Sequence, residues 1–378
     1  MRRTTLSQAT RIFIFRPIRR LPNASLKERN AMAKHGGNLQ AAAERYGVAR
    51  EKLLDFSANI NPLGPPKSVL QAIVNGGESV RHYPDPEATE LYRALAQKTG
   101  LSSSQLLVGN GAAELLFAIF HALRPQRVGL LQPCFSEYAE AAKAELLTVM
   151  ARAEKDFLPE LSELLDVCAQ VDVFVIASPN NPNGRLVPLD WLAQMADVLA
   201  MRGAYLVIDE AFLDFLPEQS SLMREHVILL RSLTKFYSIP GLRLGYLVAT
   251  PALRERIAQE LPPWSVNTLA QEAGVAGLQD EEYAERTFAW LNRERPFLEQ
   301  GLRELGFTVY SGTVNFILFQ TELTDLTERL GERGILIRDC ADYPGLGAGF
   351  YRVAVRTRAE NLLLLQKVKE VIACHSCS

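Results

Sequence analysis

Between Leu106 and Val248 the sequence alternates short, wholly apolar runs with longer stretches of helical pattern, and few folds accommodate that alternation. The runs are Leu106-Leu107-Val108, Val173-Phe174-Val175-Ile176-Ala177, Tyr205-Leu206-Val207-Ile208 and Val227-Ile228-Leu229-Leu230. Runs this short, with no polar face, read as strands covered on both sides. Strands joined by helical crossovers lie parallel, so the expected class is α/β with a mostly parallel sheet. At 378 residues and 48% hydrophobic, the chain can bury such a core and fill two lobes.

Each run ends on residues with chemical potential. After Val227-Ile228-Leu229-Leu230 come Ser232-Leu233-Thr234-Lys235, then Arg243 within Gly241-Leu242-Arg243-Leu244-Gly245-Tyr246. A lysine at a strand end is either a solvated cap or an amine placed to form a Schiff base, as a pyridoxal phosphate enzyme requires. Ser232 and Arg243 supply a hydroxyl and a planar guanidinium, both suited to phosphate. The stretch Leu106-Leu107-Val108-Gly109-Asn110-Gly111-Ala112-Ala113-Glu114 reads as strand, glycine turn and helix start. A helix start binds phosphate through its free N–H groups and dipole, although many such turns bind nothing. Asn181, in Ser178-Pro179-Asn180-Asn181-Pro182, offers a neutral donor to a phenolic oxygen, or is a plain Asn-Pro turn. Asp209 ends Tyr205-Leu206-Val207-Ile208 and is costly there unless paired. Its partner is a protonated pyridine nitrogen, or else a helix cap or salt bridge. All four elements in this order, each at a strand end, favour the cofactor reading jointly.

With these motifs the chain resembles the fold-type-I pyridoxal phosphate enzymes, class I/II aminotransferase-like, near histidinol-phosphate aminotransferase. The nearer resemblance is to the threonine-phosphate decarboxylase group of cobalamin biosynthesis. It is carried by His35-Gly36-Gly37-Asn38, Asp55-Phe56-Ser57-Ala58-Asn59-Ile60-Asn61-Pro62-Leu63-Gly64 and Arg231-Ser232-Leu233-Thr234-Lys235-Phe236-Tyr237-Ser238-Ile239-Pro240-Gly241. Pro262-Pro263-Trp264-Ser265-Val266-Asn267 and Ile337-Arg338-Asp339-Cys340-Ala341-Asp342-Tyr343-Pro344-Gly345-Leu346 join them, and the likeness runs from about His35 to about Arg358.

The resemblance implies a large domain at 63–270 around a mostly parallel, seven-stranded-type sheet, and a smaller α/β C-terminal domain at 271–378. It also implies an N-terminal segment, 35–62, that contributes to the small domain and the active site, after a basic extension at 1–34. By the same resemblance Lys235 is the Schiff-base lysine, Asp209 the partner of the pyridinium nitrogen and Asn181 the partner of the phenolic oxygen. Gly111, Ala112, Ala113, Ser232 and Arg243 hold the cofactor phosphate. Phe135, in Pro133-Cys134-Phe135-Ser136-Glu137-Tyr138, stacks on the ring, its alternative being a core phenylalanine. Tyr83 reaches a neighbouring subunit's cofactor phosphate, which implies a homodimer with shared active sites; its alternative is a turn tyrosine before proline. Arg338 and Arg352 recognise the substrate's carboxylate or phosphate, with structural salt bridges as the alternative. His35, Gly36, Gly37 and Asn59 face the substrate phosphate, and Asn181 also meets the substrate. Phe212 stands three residues after Asp209, where aminotransferases commonly carry a tyrosine; the decarboxylase group shares the phenylalanine. The implied reaction converts the phosphorylated amino acid L-threonine O-3-phosphate to (R)-1-aminopropan-2-ol O-phosphate and CO2. The rivals are an aminotransferase of the histidinol-phosphate type and a non-catalytic, cofactor-binding scaffold of a corrinoid pathway.

Composition narrows the partners. A net charge of −2 makes no case for nucleic acid, and no window approaches the length of a membrane span. Residues 1–34 carry nine basic side chains and one acid, fitting an upstream start site with the true start at Met32, a disordered tail or a targeting peptide. Five scattered cysteines, Cys134, Cys168, Cys340, Cys374 and Cys377, argue for reduced thiols in the cytoplasm. Cys374, His375 and Cys377 are metal-ligand types but only three, where structural zinc takes four, so no metal is expected.

Overall fold

The computed structural model describes residues 36–218 and 221–375. Strand β1 (Leu54–Asp55) belongs to a two-stranded pairing considered below. The next seven strands form one sheet: β2 (Leu106–Gly109), β3 (Arg127–Gln132), β4 (Glu145–Met150), β5 (Val173–Ala177), β6 (Tyr205–Asp209), β7 (Val227–Ser232) and β8 (Gly245–Val248). Their order is β2-β8-β7-β6-β5-β3-β4.

The apolar runs form strands because both faces are covered. Alternate residues of one strand fall in different cores: Phe174 and Ile176 pack with Leu206, Ile208 and Leu229, whereas Val173 and Val175 pack with Val207, Ile228 and Leu230. Side chains alternating across a pleat, each set meeting its own helical layer, produce this division. At the edge, β4 exposes Glu145, Leu146, Thr148 and Met150 and carries a mixed sequence.

Every pairing in this sheet is parallel except those of β8, which runs antiparallel to β2 and β7. Residues 233–244 cross the end of the sheet instead of returning along it, and Gly245 enters β8 opposite Ser232. The reversal therefore keeps this connection at the end where the parallel strands finish.

A second, antiparallel sheet has the order β12-β13-β10-β9, made of β9 (Thr308–Val309), β10 (Phe316–Gln320), β12 (Arg338–Asp339) and β13 (Phe350–Ala354). Strand β11 (Ile335–Leu336) pairs in parallel with β1. Beyond β1 the chain stays attached: Phe56 carbonyl accepts from Ala354 N–H at 2.8 Å, and Asn61 N–H donates to the Lys235 carbonyl at 3.1 Å. The Asn61 amide also donates to Phe236 carbonyl at 3.0 Å and to Thr287 at 2.9 Å. The segment 54–61 thus joins the small sheet to the connection that carries Lys235. Among the described residues, no helix is long and apolar enough to cross a membrane, and no cluster of three metal-ligating side chains occurs.

Candidate active site

The candidate residues collect at one end of the large sheet, where β2, β5, β6 and β7 finish and β8 begins. In open α/β sheets this is where ligands bind. One helical turn, Leu233–Phe236, follows β7 and presents Lys235. Its Nζ donates to Thr234 Oγ1 at 3.2 Å and to Ser232 Oγ at 3.3 Å, and the two hydroxyls lie 2.9 Å apart. Burial lowers the amine's pKa to about 8; the Asp209 charge opposes that shift and Arg243 reinforces it.

Asp209 ends β6. Burial pushes its carboxyl above the usual carboxylate range, opposed by two hydrogen bonds. The Tyr138 hydroxyl donates to Oδ2 at 2.5 Å and the Ala211 N–H to Oδ1 at 2.9 Å. Neither donor is a cation; the Lys235 amine acts on the carboxyl group through its charge, without a hydrogen bond to it, so an ionised Asp209 would lack a positive partner in contact. Such a charge is expensive, and a protonated ring nitrogen would neutralise it.

On the β2 side, Gly111 adopts φ +83° and opens the helix Ala112–Leu123. A Cβ at Gly111 would run into the Arg243 guanidinium, so the missing side chain opens the space between a helix start and an arginine. Glu114 accepts from Asn110 N–H at 2.7 Å and fixes the turn. Gly245 sits equally tight, since a Cβ there would lie 2.6 Å from Ala112 N and 2.8 Å from Arg231 O.

The second sheet contributes two arginines. Arg338 and Arg352 are register partners across β12 and β13, 8% and 5% exposed, so they lie on one face. Like charges directly opposite are unfavourable unless anions answer them. Arg338 is answered by Asp342, at 2.7 and 2.9 Å, and lies 5.3 Å from the Tyr343 ring centroid. Arg352 donates to Asn181 Oδ1 and, at 2.8 Å, to the Ser57 carbonyl, both neutral acceptors. Its Nε and the Asn59 Oδ1 are buried without a hydrogen-bond partner. Gly36 packs against Ser57, and Gly37 N–H donates to Ser57 Oγ at 3.0 Å. Asn181, Arg352, Ser57 and the Gly36-Gly37 turn are therefore one connected group.

The remaining expected residues differ in how close they lie to this group. Tyr83 is 80% exposed and stacks on Trp264, ring centroids 4.7 Å apart. Phe135 meets Tyr138 edge to face at 5.7 Å. Phe212 is buried with its ring against Phe316 at 4.9 Å, so this position offers no hydroxyl. His35, Cys377 and the side chain of His375 lie outside the described residues, whereas Cys374 is described and exposed. Sequence reading did not single out Tyr138, Thr234 or Ser57. Tyr138 lay within the motif quoted for Phe135, three residues on, and a polar residue at that spacing was the available signal. Ser57 acts on Arg352 through its carbonyl, which no side-chain motif announces.

Comparison with known proteins is consistent along the chain. Residues 51–368 match the family model for aminotransferase class I and II. A threonine-phosphate decarboxylase from Salmonella typhimurium is 39% identical over 350 residues, 89% of this chain and 96% of that protein. The adenosylcobalamin biosynthesis bifunctional protein CobDQ of Leptospira interrogans is 33% identical over 356 residues, 90% of this chain and 41% of that longer protein. The crystal structure of the histidinol-phosphate aminotransferase from Clostridium acetobutylicum aligns with a TM-score of 0.80 at 29% identity, covering 84% of this chain and 99% of that one.

Proposed function

Because the chain belongs to the aminotransferase class I and II family, we propose that it is a pyridoxal phosphate-dependent decarboxylase of L-threonine O-3-phosphate. Loss of the carboxylate would give CO2 and (R)-1-aminopropan-2-ol O-phosphate, and the likeness to an adenosylcobalamin biosynthesis protein supports a place in cobalamin assembly. The residues present fit the cofactor. Lys235 would hold it covalently, Gly111, the N–H groups of Ala112 and Ala113, Ser232 and Arg243 would hold its phosphate, and Asp209 its ring nitrogen. Asn181 would meet the phenolic oxygen and Phe135 a face of the ring. When bound, the cofactor supplies an aldehyde that captures the substrate amine and a protonated ring that accepts the electron pair of a broken bond.

The observation that carries the substrate assignment is the cross-strand pair Arg338 and Arg352, buried on one face with Arg352 Nε unpaired. Arg352, held only by neutral acceptors, offers its charge to one anionic end of the substrate. Arg338, already paired with Asp342, would take the other end by sharing or displacing that carboxylate. Guanidiniums bind carboxylate and phosphate in planar, forked geometry. Gripping both ends fixes rotation about the substrate's N–Cα bond and so selects which bond at Cα stands perpendicular to the ring. Asn59 Oδ1 and the Gly36-Gly37 turn, with His35, would complete the phosphate end. Lys235 would return a proton to Cα after CO2 departs.

A homodimer is part of this reading: exposed Tyr83, stacked on Trp264, would reach the cofactor phosphate of a second copy. The buried thiols Cys134, Cys168 and Cys340 are unpaired, which supports a reducing, cytoplasmic setting.

The test is incubation with L-threonine O-3-phosphate. CO2 should appear without any amino acceptor, and the product should keep its amino group. Arg352→Ala should lower kcat/KM about a hundredfold (~2–3 kcal/mol) and leave the cofactor bound. The aminotransferase reading draws on the structural likeness to the Clostridium enzyme. It requires histidinol phosphate to turn over faster with 2-oxoglutarate than threonine phosphate loses CO2, and that result would displace the proposal.

A further inference from the structure

We propose that Tyr138 is a positioning residue for this reaction: its hydroxyl fixes the Asp209 carboxyl group and aims it at the cofactor's ring nitrogen. The inference rests on the cofactor reading above and adds a residue to it. Tyr138 is 1% exposed, in the short helix Glu137–Ala142, and donates to Asp209 Oδ2 at 2.5 Å. Oδ1 takes the Ala211 N–H at 2.9 Å, so the carboxylate is fixed from two directions.

The chemistry of the donor matters. Asp209 is half-buried beside the Cys134 thiol, and desolvation alone would favour its neutral form. A lysine or arginine in place of Tyr138 would ionise Asp209 but also satisfy its charge, removing the demand for a protonated ring. A neutral hydroxyl stabilises the carboxylate and leaves the charge available. Tyr138 stays a donor, because burial and the Asp209 charge hold its own pKa well above 10.0. Its ring also meets Phe135 edge to face at 5.7 Å. One short segment therefore carries both the expected ring-face contact and the carboxylate's partner.

The experiment titrates cofactor-free protein with pyridoxal phosphate and with its carbocyclic analogue, in which a C–H replaces the ring nitrogen. In Tyr138→Phe, affinity for pyridoxal phosphate should fall about tenfold or more, while affinity for the analogue changes less than about twofold. The analogue also reports whether the variant is folded. Equal losses for both ligands would reduce Tyr138 to packing, and no loss for either would remove it from the site. In an Asp209→Asn background, Tyr138→Phe should add no further loss for pyridoxal phosphate; an added loss would mean that Tyr138 acts elsewhere. If the wild-type protein itself fails to bind pyridoxal phosphate, the cofactor reading falls first, before any variant is compared.

Discussion

Lys235 has an amine that burial holds at a pKa of about 8, well below its ordinary value of 10.5. Below that pH the group is an ammonium without a lone pair; above it the amine is a nucleophile. Capture of pyridoxal phosphate by the cofactor-free protein should therefore rise about tenfold per unit as pH approaches 8, then level off. Lys235→Ala should capture none, and borohydride reduction should label this lysine alone. A rise continuing to about pH 10 would instead indicate an ordinary, solvated amine. At this scale the sequence was readable wherever a polar residue ends an apolar run, because burial makes such a residue conspicuous. Lys235, Asp209 and Asn181 stand out in that way. Thr234, Ser57 and Tyr138 do not, since their significance comes from partners 1, 295 and 71 positions away.

Among the elements, β7 and β8 and the connection between them bring most of the phosphate chemistry together. Gly245 allows the tight approach of β8 to the helix start at Ala112, whose backbone N lies 2.6 Å from where a Cβ would sit. The obstructing atoms are backbone on both sides and cannot swing away. Gly245→Ala should therefore cost about 1–3 kcal/mol in denaturant unfolding and weaken cofactor binding, measured by titration. Normal stability and affinity would show that the sheet end adjusts freely. Strands β2, β5, β6 and β7 were legible because burial on both faces leaves a continuous apolar run. The two-residue strands β1, β9, β11 and β12 were not, because no period can be read from two residues. They exist through the register that β13, β10 and each other impose.

Across the molecule, the site draws on three distant stretches: 36–61, 109–243 and 338–352. The likeness to a family supplied this grouping, since no local pattern reports that Arg352 meets Asn181 and Ser57. In sequence, residues 1–34 show neither a helical nor an alternating apolar pattern. A chain beginning at Met32 should therefore melt and turn over like the full one; loss of solubility or activity would show that the leader belongs to the fold.

The crossing of the sheet end by residues 233–244 has a consequence in time. The last of the groups assigned to the cofactor, Arg243, is synthesised about a hundred residues ahead of Arg352, roughly 5–20 s at ordinary translation rates. During that interval a growing chain has the lysine, the phosphate cradle and Asp209, but neither buried arginine nor the strand that clasps Phe56. The groups assigned to the cofactor therefore precede β13 and its arginine in the growing chain. The arginine pair is the last part of the proposed site to be made, after both the segment 36–59 and the groups assigned to the cofactor.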